Sequence, residues 1–217
     1  MKKQVLVVGL GRFGTSVATT LYERGHDVLA IDRNEGRVQE MAAQVTSAVQ
    51  ADATSEASLK ELGVGNFDMA VVSIGTDIQA SLLATVVLQR LGLPQVVARA
   101  QNELHGETLE KIGADRVIYP ERESGERLAH NLAYHDVIDY MELSSGFGVS
   151  KVTPAKDDVG KTLEEANLGP RSKSGLTVLI VKRGNDVTLN PDRFERIKAG
   201  DVLVVSGRDE QLERLET

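Results

Sequence analysis

The run Val5-Leu6-Val7-Val8-Gly9-Leu10-Gly11-Arg12-Phe13-Gly14 constrains this chain more than any other stretch. Four consecutive apolar residues read as a strand buried on both faces, and the G-x-G-x-x-G spacing reads as the turn from that strand into a helix. Each glycine then has a separate task. Gly9 permits the sharp exit from the strand, Gly11 lets a pyrophosphate approach the backbone, and Gly14 lets the helix pack close to the sheet. Phosphate would sit on the free N–H groups and the positive dipole end of that helix. Three spaced glycines recur by chance, so the flanks decide. A second apolar run, Val28 to Ile31, ends in Asp32, 18 residues after Gly14, where an acid that binds ribose hydroxyls is expected.

The rest of the first half alternates in the same manner. Strands are expected at Val5–Val8, Val28–Ile31, Ala48–Gln50, Ala70–Ser73, Val96–Ala98 and Arg116–Ile118. Helices are expected near Gly11–Arg24, Glu35–Gln44, Ser55–Leu62, Ile78–Arg90 and Glu103–Ile112. Gly25, Gly92-Leu93-Pro94 and Gly113 supply the stops. Six strands separated by helices predict an α/β fold, a Rossmann-like doubly wound parallel sheet spanning residues 1–120. Residues 121–136 read as a charged linker helix with Leu128 and Leu132 on one face. It is a plain connection, a tether for the C-terminal region or a crossover to a second subunit. Residues 137–217 read as a small α+β domain, with short strands at Val149–Val152, Leu176–Lys182, Val187–Leu189 and Val202–Ser206 and one helix at Thr162–Asn167. Lys198-Ala199-Gly200-Asp201 reads as a tight turn into the last of these strands.

Composition narrows the function. The 217 residues include no cysteine, which excludes disulfides and thiol chemistry and suits a reducing cytosol. The formal net charge of -7 disfavours nucleic acid as a partner. No stretch approaches the ~20 apolar residues of a membrane span, and the start leads straight into the first strand, with no room for a signal peptide. His26, His105, His130 and His135 show no metal-binding spacing. Nothing marks a nucleophile or a general acid or base, and the second domain is too small to form a substrate cleft. These features disfavour an enzyme.

Among candidate binding residues, Arg12 lies between the second and third glycines. A cation there opposes the helix dipole unless a phosphate faces it, which favours a ligand with extra phosphate charge such as ATP; the alternative is a solvated helix-start arginine. Asp32 repels a 2′-phosphate and so disfavours NADP, although Arg33 beside it leaves some room for one. Asp52 belongs either to the adenine edge or to a turn ahead of a helix cap at Thr54 or Ser55, and both can hold. Ile74-Gly75-Thr76 forms a close-packing loop after the fourth strand.

Taken together, Gly9-Leu10-Gly11-Arg12-Phe13-Gly14, Asp32-Arg33-Asn34, Ser73-Ile74-Gly75, Ala100-Gln101-Asn102, Leu109-Glu110-Lys111-Ile112-Gly113-Ala114-Asp115 and Tyr119-Pro120-Glu121 resemble an RCK (KTN) domain. Lys198-Ala199-Gly200-Asp201-Val202-Leu203 resembles the TrkA-C (RCK-C) domain that follows it. The resemblance covers essentially the whole chain and is closest to the regulatory subunits of bacterial Ktr potassium-uptake systems. It implies a non-enzymatic gating subunit that forms a dimer and an octameric ring. It places that subunit in the cytoplasm, peripheral to the inner face of the membrane, against a potassium channel subunit. ATP or ADP is the implied ligand, with NAD or NADH as the alternative. By the same resemblance, Arg12 and Arg99 contact phosphate with Gln101 and His105 nearby. Asp32 and Arg33, followed by Asn34, fall at the ribose, Asp52 and Ala53 at adenine, and Ile74, Gly75 and Thr76 line the pocket. Ala100 lies in the Ala100-Gln101 segment of the site. Glu121 matches a carboxylate that faces the nucleotide across the dimer and takes Mg²⁺ or Ca²⁺. Arg99 stands where relatives often have lysine. Some relatives bind cyclic di-AMP at the C-terminal domain. The competing readings are a small NAD-dependent oxidoreductase and an NAD(H) redox sensor.

Overall fold

A computed structural model of the chain describes residues 2–133, 137–169 and 172–212. It divides into two compact units, Met1–Glu121 and Arg122–Thr217.

The first unit contains strands β1 (Gln4–Val8), β2 (Asp27–Asp32), β3 (Ser47–Gln50), β4 (Met69–Val72), β5 (Val96–Arg99) and β6 (Arg116–Ile118). They form one parallel sheet in the order β3-β2-β1-β4-β5-β6. Alternate residues of the central strands serve opposite faces. Leu6, Val8, Leu29, Ile31, Ala70 and Val72 join the core that contains Leu59, Leu88 and Leu109. Val5, Val7, Val28, Ala30 and Val71 join the core that contains Ala18, Val38 and Met41. Both cores are needed because β1 has helices above and below it, which is why its sequence is apolar without alternation. Fully burying each valine, leucine, isoleucine or methionine among them contributes about 1.5–3 kcal/mol.

The helices are α1 (Arg12–Glu23), α2 (Glu35–Met41), α3 (Glu56–Glu61), α4 (Ile78–Arg90) and α5 (Glu103–Lys111). Four of the five start on a side-chain cap. Asn34, Ser55, Asp77 and Asn102 accept from the N–H groups of Arg37, Ser58, Ala80 and His105. The exception is α1, whose cap position is Gly11 and whose first turn has no side-chain cap. Element ends differ from the sequence expectation by a few residues at most. For instance, α2 stops at Met41, and Gln44 N–H instead closes a turn on the Met41 carbonyl at 2.9 Å.

Helix α6 (Pro120–Ala133) follows β6, and Leu128 and Leu132 are exposed on it. The end of the linker helix expected over residues 121–136 lies outside the described residues. The second unit is built on strands β7 (Val137–Ser144), β8 (Phe147–Val152), β9 (Thr177–Arg183), β10 (Asp186–Leu189) and β11 (Asp201–Arg208), with a short helix α7 (Asp209–Leu212). The sheet is antiparallel in the order β10-β9-β11-β8-β7. Its core gathers Val152, Leu163, Leu168, Leu176, Val181, Ile197, Leu203 and Val205. The Lys198–Asp201 turn forms as expected, with Gly200 at φ +83° and Asp201 N–H bonded to the Lys198 carbonyl at 3.1 Å.

Two features depart from the sequence reading. The helix expected at Thr162–Asn167 is a hydrogen-bonded turn. Thr162 and Glu165 form a reciprocal capping box, the Thr162 N–H donating to Glu165 Oε2 at 2.8 Å, but no helix propagates. Asn167 takes a left-handed φ of +56° and ends the segment at once. Strand β7 was not expected. Ile138, Met141 and Leu143 are exposed on it while Tyr140 packs on the core, so its sequence has no clean polar/apolar alternation.

Candidate functional site

A cleft of about 470 Å³ opens at the carboxyl ends of β1, β2 and β4, where the strand order reverses. Gly9, with φ +90°, leaves β1 and donates its N–H to the Ile31 carbonyl at 2.8 Å. Gly11, Arg12 and Phe13 form the adjoining wall at the uncapped start of α1. A side chain at Gly11 would meet nothing within 4 Å, so the floor there is open for a ligand. Gly14 does not line the cleft. A Cβ on it would overlap the Gly9 carbonyl and the Ser73 hydroxyl, so this glycine sets the close approach of α1 to the strand turn.

Asp32, at the tip of β2, is nearly buried and already engaged. Oδ2 accepts the Leu10 N–H at 2.6 Å, and Oδ1 accepts the Asn34 N–H at 2.8 Å. It thereby ties the glycine turn to the second strand. A carboxylate has about four acceptor positions, so capacity for ribose hydroxyls remains. Asp52 is the turn residue ahead of the α3 cap at Ser55. Its Oδ1 accepts from Thr54 N–H at 2.9 Å, Thr54 hydroxyl at 2.7 Å and Arg33 Nη2 at 2.9 Å. Burial pushes this carboxyl up, but the Thr54 hydrogen bonds and the Arg33 charge outweigh burial and hold it below the usual range. Arg33 also reaches Asp77 at 3.8 Å, joining the loops after β3 and β4 across the mouth. Ala53, Ile74, Gly75 and Thr76 complete this side.

Arg99, the last residue of β5, lays its guanidinium against Gly75, leaving no room there for a Cβ. It pairs with Glu121 Oε1 at 2.5 Å. Four arginines and four carboxylates therefore line the cleft: Arg12, Arg33, Arg37 and Arg99 with Asp32, Asp52, Asp77 and Glu121. Arg33, Arg37 and Arg99 each have an acidic partner; Arg12 has none among the described residues. Among the described residues it is the one cleft arginine whose charge is not already answered by a carboxylate.

Asn34, Ala100, Gln101 and His105 lie outside the cleft lining. Asn34 is spent on capping α2. Ala100 is buried in the core because the alternation that turns Arg99 outward turns Ala98 and Ala100 inward. Gln101 is exposed, and its N–H donates to His105 Nδ1 at 3.3 Å. His105 is 3% exposed, and burial pushes its pKa down. The sequence reading missed Arg37, Ser73 and Asp77. Asp77 carried a signal, as an acid immediately before the apolar run of α4. Arg37 carried none, because its value lies in its 3.4 Å approach to Asp32 across the α2 start.

A Rossmann-type domain with an open glycine turn, joined to a small antiparallel domain, defines the class. Residues 5–120 match the TrkA-N domain and residues 151–217 match the TrkA-C domain, and the chain belongs to this TrkA-N/TrkA-C family. It is 40% identical over 216 residues to the Ktr system potassium uptake protein C of Bacillus subtilis (strain 168), covering 100% of this chain and 97% of the relative. It is also 40% identical over 214 residues to the Ktr system potassium uptake protein A of the same organism, covering 99% and 96%. Among solved structures, the GsuK channel bound to NAD superposes with a TM-score of 0.67 at 19% identity, covering 100% of this chain and 39% of that one. GsuK bound to ADP superposes with a TM-score of 0.53 at 25% identity, covering 61% and 33%. The chain thus spans well under half of those channel chains, and the 19% likeness speaks for the fold.

Proposed function

We propose that this chain is the cytoplasmic regulatory subunit of a potassium uptake system and that its cleft binds ADP and ATP. The observation that carries the proposal is the cleft itself: an uncapped helix start behind a glycine turn, with Asp32 poised for a ribose and Arg12 without an acidic partner among the described residues. The full-length likeness to the Ktr proteins supports the potassium role, and the ADP-bound GsuK structure supports the ligand. Among the described residues no helix is long and apolar enough to cross a membrane, and in this proposal a membrane channel partner conducts the ion. Residues 1–120 serve as the nucleotide module, 121–136 as the connection and 137–217 as the second module of a dimer-based ring. The exposed Leu128 and Leu132 fit burial against another copy.

For signalling, ATP and ADP must be told apart, because a ligand that treats two states alike shifts neither. The γ-phosphate is their difference, and Arg12 and Glu121 are the charged residues assigned to it. Glu121 would act through Mg²⁺ or Ca²⁺. One carboxylate with phosphate oxygens is an ordinary Mg²⁺ donor set, and no cluster of three protein metal ligands occurs among the described residues. The test is calorimetry with ADP, ATP, NAD, NADH and NADP, followed by potassium flux through the partner channel in vesicles. Adenine nucleotides should bind and NADP should not. Divalent cation should strengthen the ATP response, and Glu121→Gln should abolish that gain. Tight NADP binding without adenine-nucleotide binding would sink the assignment.

A further inference from the structure

We propose that Glu121 is a built-in competitor for Arg99, so that a nucleotide's phosphates enter by displacing this carboxylate from the guanidinium and release the Glu121 side chain at the start of α6. The inference rests on the nucleotide assignment above and adds to it a mechanism of entry.

The two halves of the pair are unequal. The Arg99 side chain is 19% exposed and packed against Gly75, whereas the Glu121 side chain is 67% exposed. Arg99 is therefore held in place by the loop after β4, while Glu121 has Arg99 as its only hydrogen-bond partner among the described residues. The other cleft carboxylates are anchored differently. Asp32 holds two backbone N–H groups, Asp52 holds Thr54 twice, and Asp77 caps α4. Removing any of them from its arginine would leave it tied to the scaffold; Glu121 alone is free to swing away into water. The resting pose of Arg99 is also incomplete, because its buried Nε–H has no acceptor among the described residues. An unpaired buried donor weakens the resting pose and favours a rearrangement that supplies an acceptor. Phosphate oxygens offer the guanidinium bidentate partners of the same geometry as a carboxylate. Because Glu121 lies in the first turn of α6, the exchange connects cleft occupancy to the start of that helix.

The test is ADP affinity by calorimetry on the full chain without divalent cation, for the parent, Glu121→Gln, Arg99→Gln and the double variant. With the competitor gone, Glu121→Gln should bind ADP about two- to fivefold tighter, the scale of a solvent-facing ion pair. In the Arg99→Gln background the same change should have no effect, because nothing remains to compete for. If Arg99→Gln binds too weakly to measure, Arg99→Lys replaces it, and the gain from Glu121→Gln should be smaller there than in the parent. Unchanged or weaker ADP binding by Glu121→Gln would overturn the exchange. So would an equal gain with and without Arg99, since Glu121 would then only repel phosphate. If the parent bound no ADP at all, the nucleotide assignment would fail first and this inference with it.

Discussion

Arginine meets carboxylate in both units of the chain, with opposite consequences. At the cleft of the first unit, Glu121 is two-thirds exposed and, among the described residues, held by Arg99 alone. In the second unit, Asp201 is fully buried. Arg183 grips it with Nε and Nη2, both at 2.8 Å, and the Lys198 N–H adds a third bond at 2.8 Å. Arg183 continues to Glu195 and the Arg196 carbonyl, so one guanidinium joins β9, β11 and the turn between 195 and 201. Burial pushes Asp201 up, but the Arg183 hydrogen bonds outweigh it and hold the carboxyl below its ordinary range. The same chemical pair is a joint where the carboxylate is buried and fully bonded, and an exchangeable contact where the carboxylate faces water.

The strongest way to break this contrast is at Asp201. Asp201→Ala leaves Arg183 without its main partner and should destabilise the second unit by about 2–4 kcal/mol, toward the lower side of a broken buried pair because Arg183 is about one-third exposed. Urea unfolding with hydrogen exchange resolved by unit is the measurement. A loss below about 1 kcal/mol would show that the pair is not a joint, since that is the value of a surface pair.

Next in size is Asp32. Asp32→Ala should weaken ADP binding by about 1.5–3 kcal/mol, the usual value of hydrogen bonds to a charged group. Circular dichroism must show the fold intact, because Asp32 also secures Leu10 and Asn34. An unchanged dissociation constant would remove the ribose role and leave Asp32 as a purely structural link.

The smallest effect concerns acid. His105 in the first unit is buried with a depressed pKa, so the unfolded chain takes up a proton before the native one does. The stability it contributes is complete above the ordinary imidazole value of 6.5 and is lost as pH falls from there through the depressed native value. Asp201, also depressed, keeps its contribution until pH falls below the ordinary carboxylate value of 3.8. The first unit should therefore begin to weaken at higher pH than the second, in hydrogen exchange followed from pH 7 to 4. His105→Asn should erase the step just below pH 6.5, and a step that persists in this variant would assign it to another group.

Local pattern alone determined much of this protein. The buried strand before Gly9, the turn through Gly11 and Gly14, Asp32 at the next strand tip and the six-strand alternation are all encoded within short windows, because glycine conformation and the periodicities of strand and helix are local properties. Helix starts were legible for the same reason. The helix expected at Thr162–Asn167 does not form because the capping box of Thr162 and Glu165 is only a nucleus, and Asn167 two residues on stops it. Tertiary structure decided the rest. Strand β7 exists because β8 offers it an edge, not because its residues alternate. Arg99 finds Glu121 across 22 positions, and Arg183 finds Asp201 across 18. Nothing in the spacing of such residues tells which cation meets which acid, or whether water reaches the pair. The folded chain sets both the distance between charges and their burial, and those two quantities govern whether an ion pair holds a fold together or gives way to a ligand.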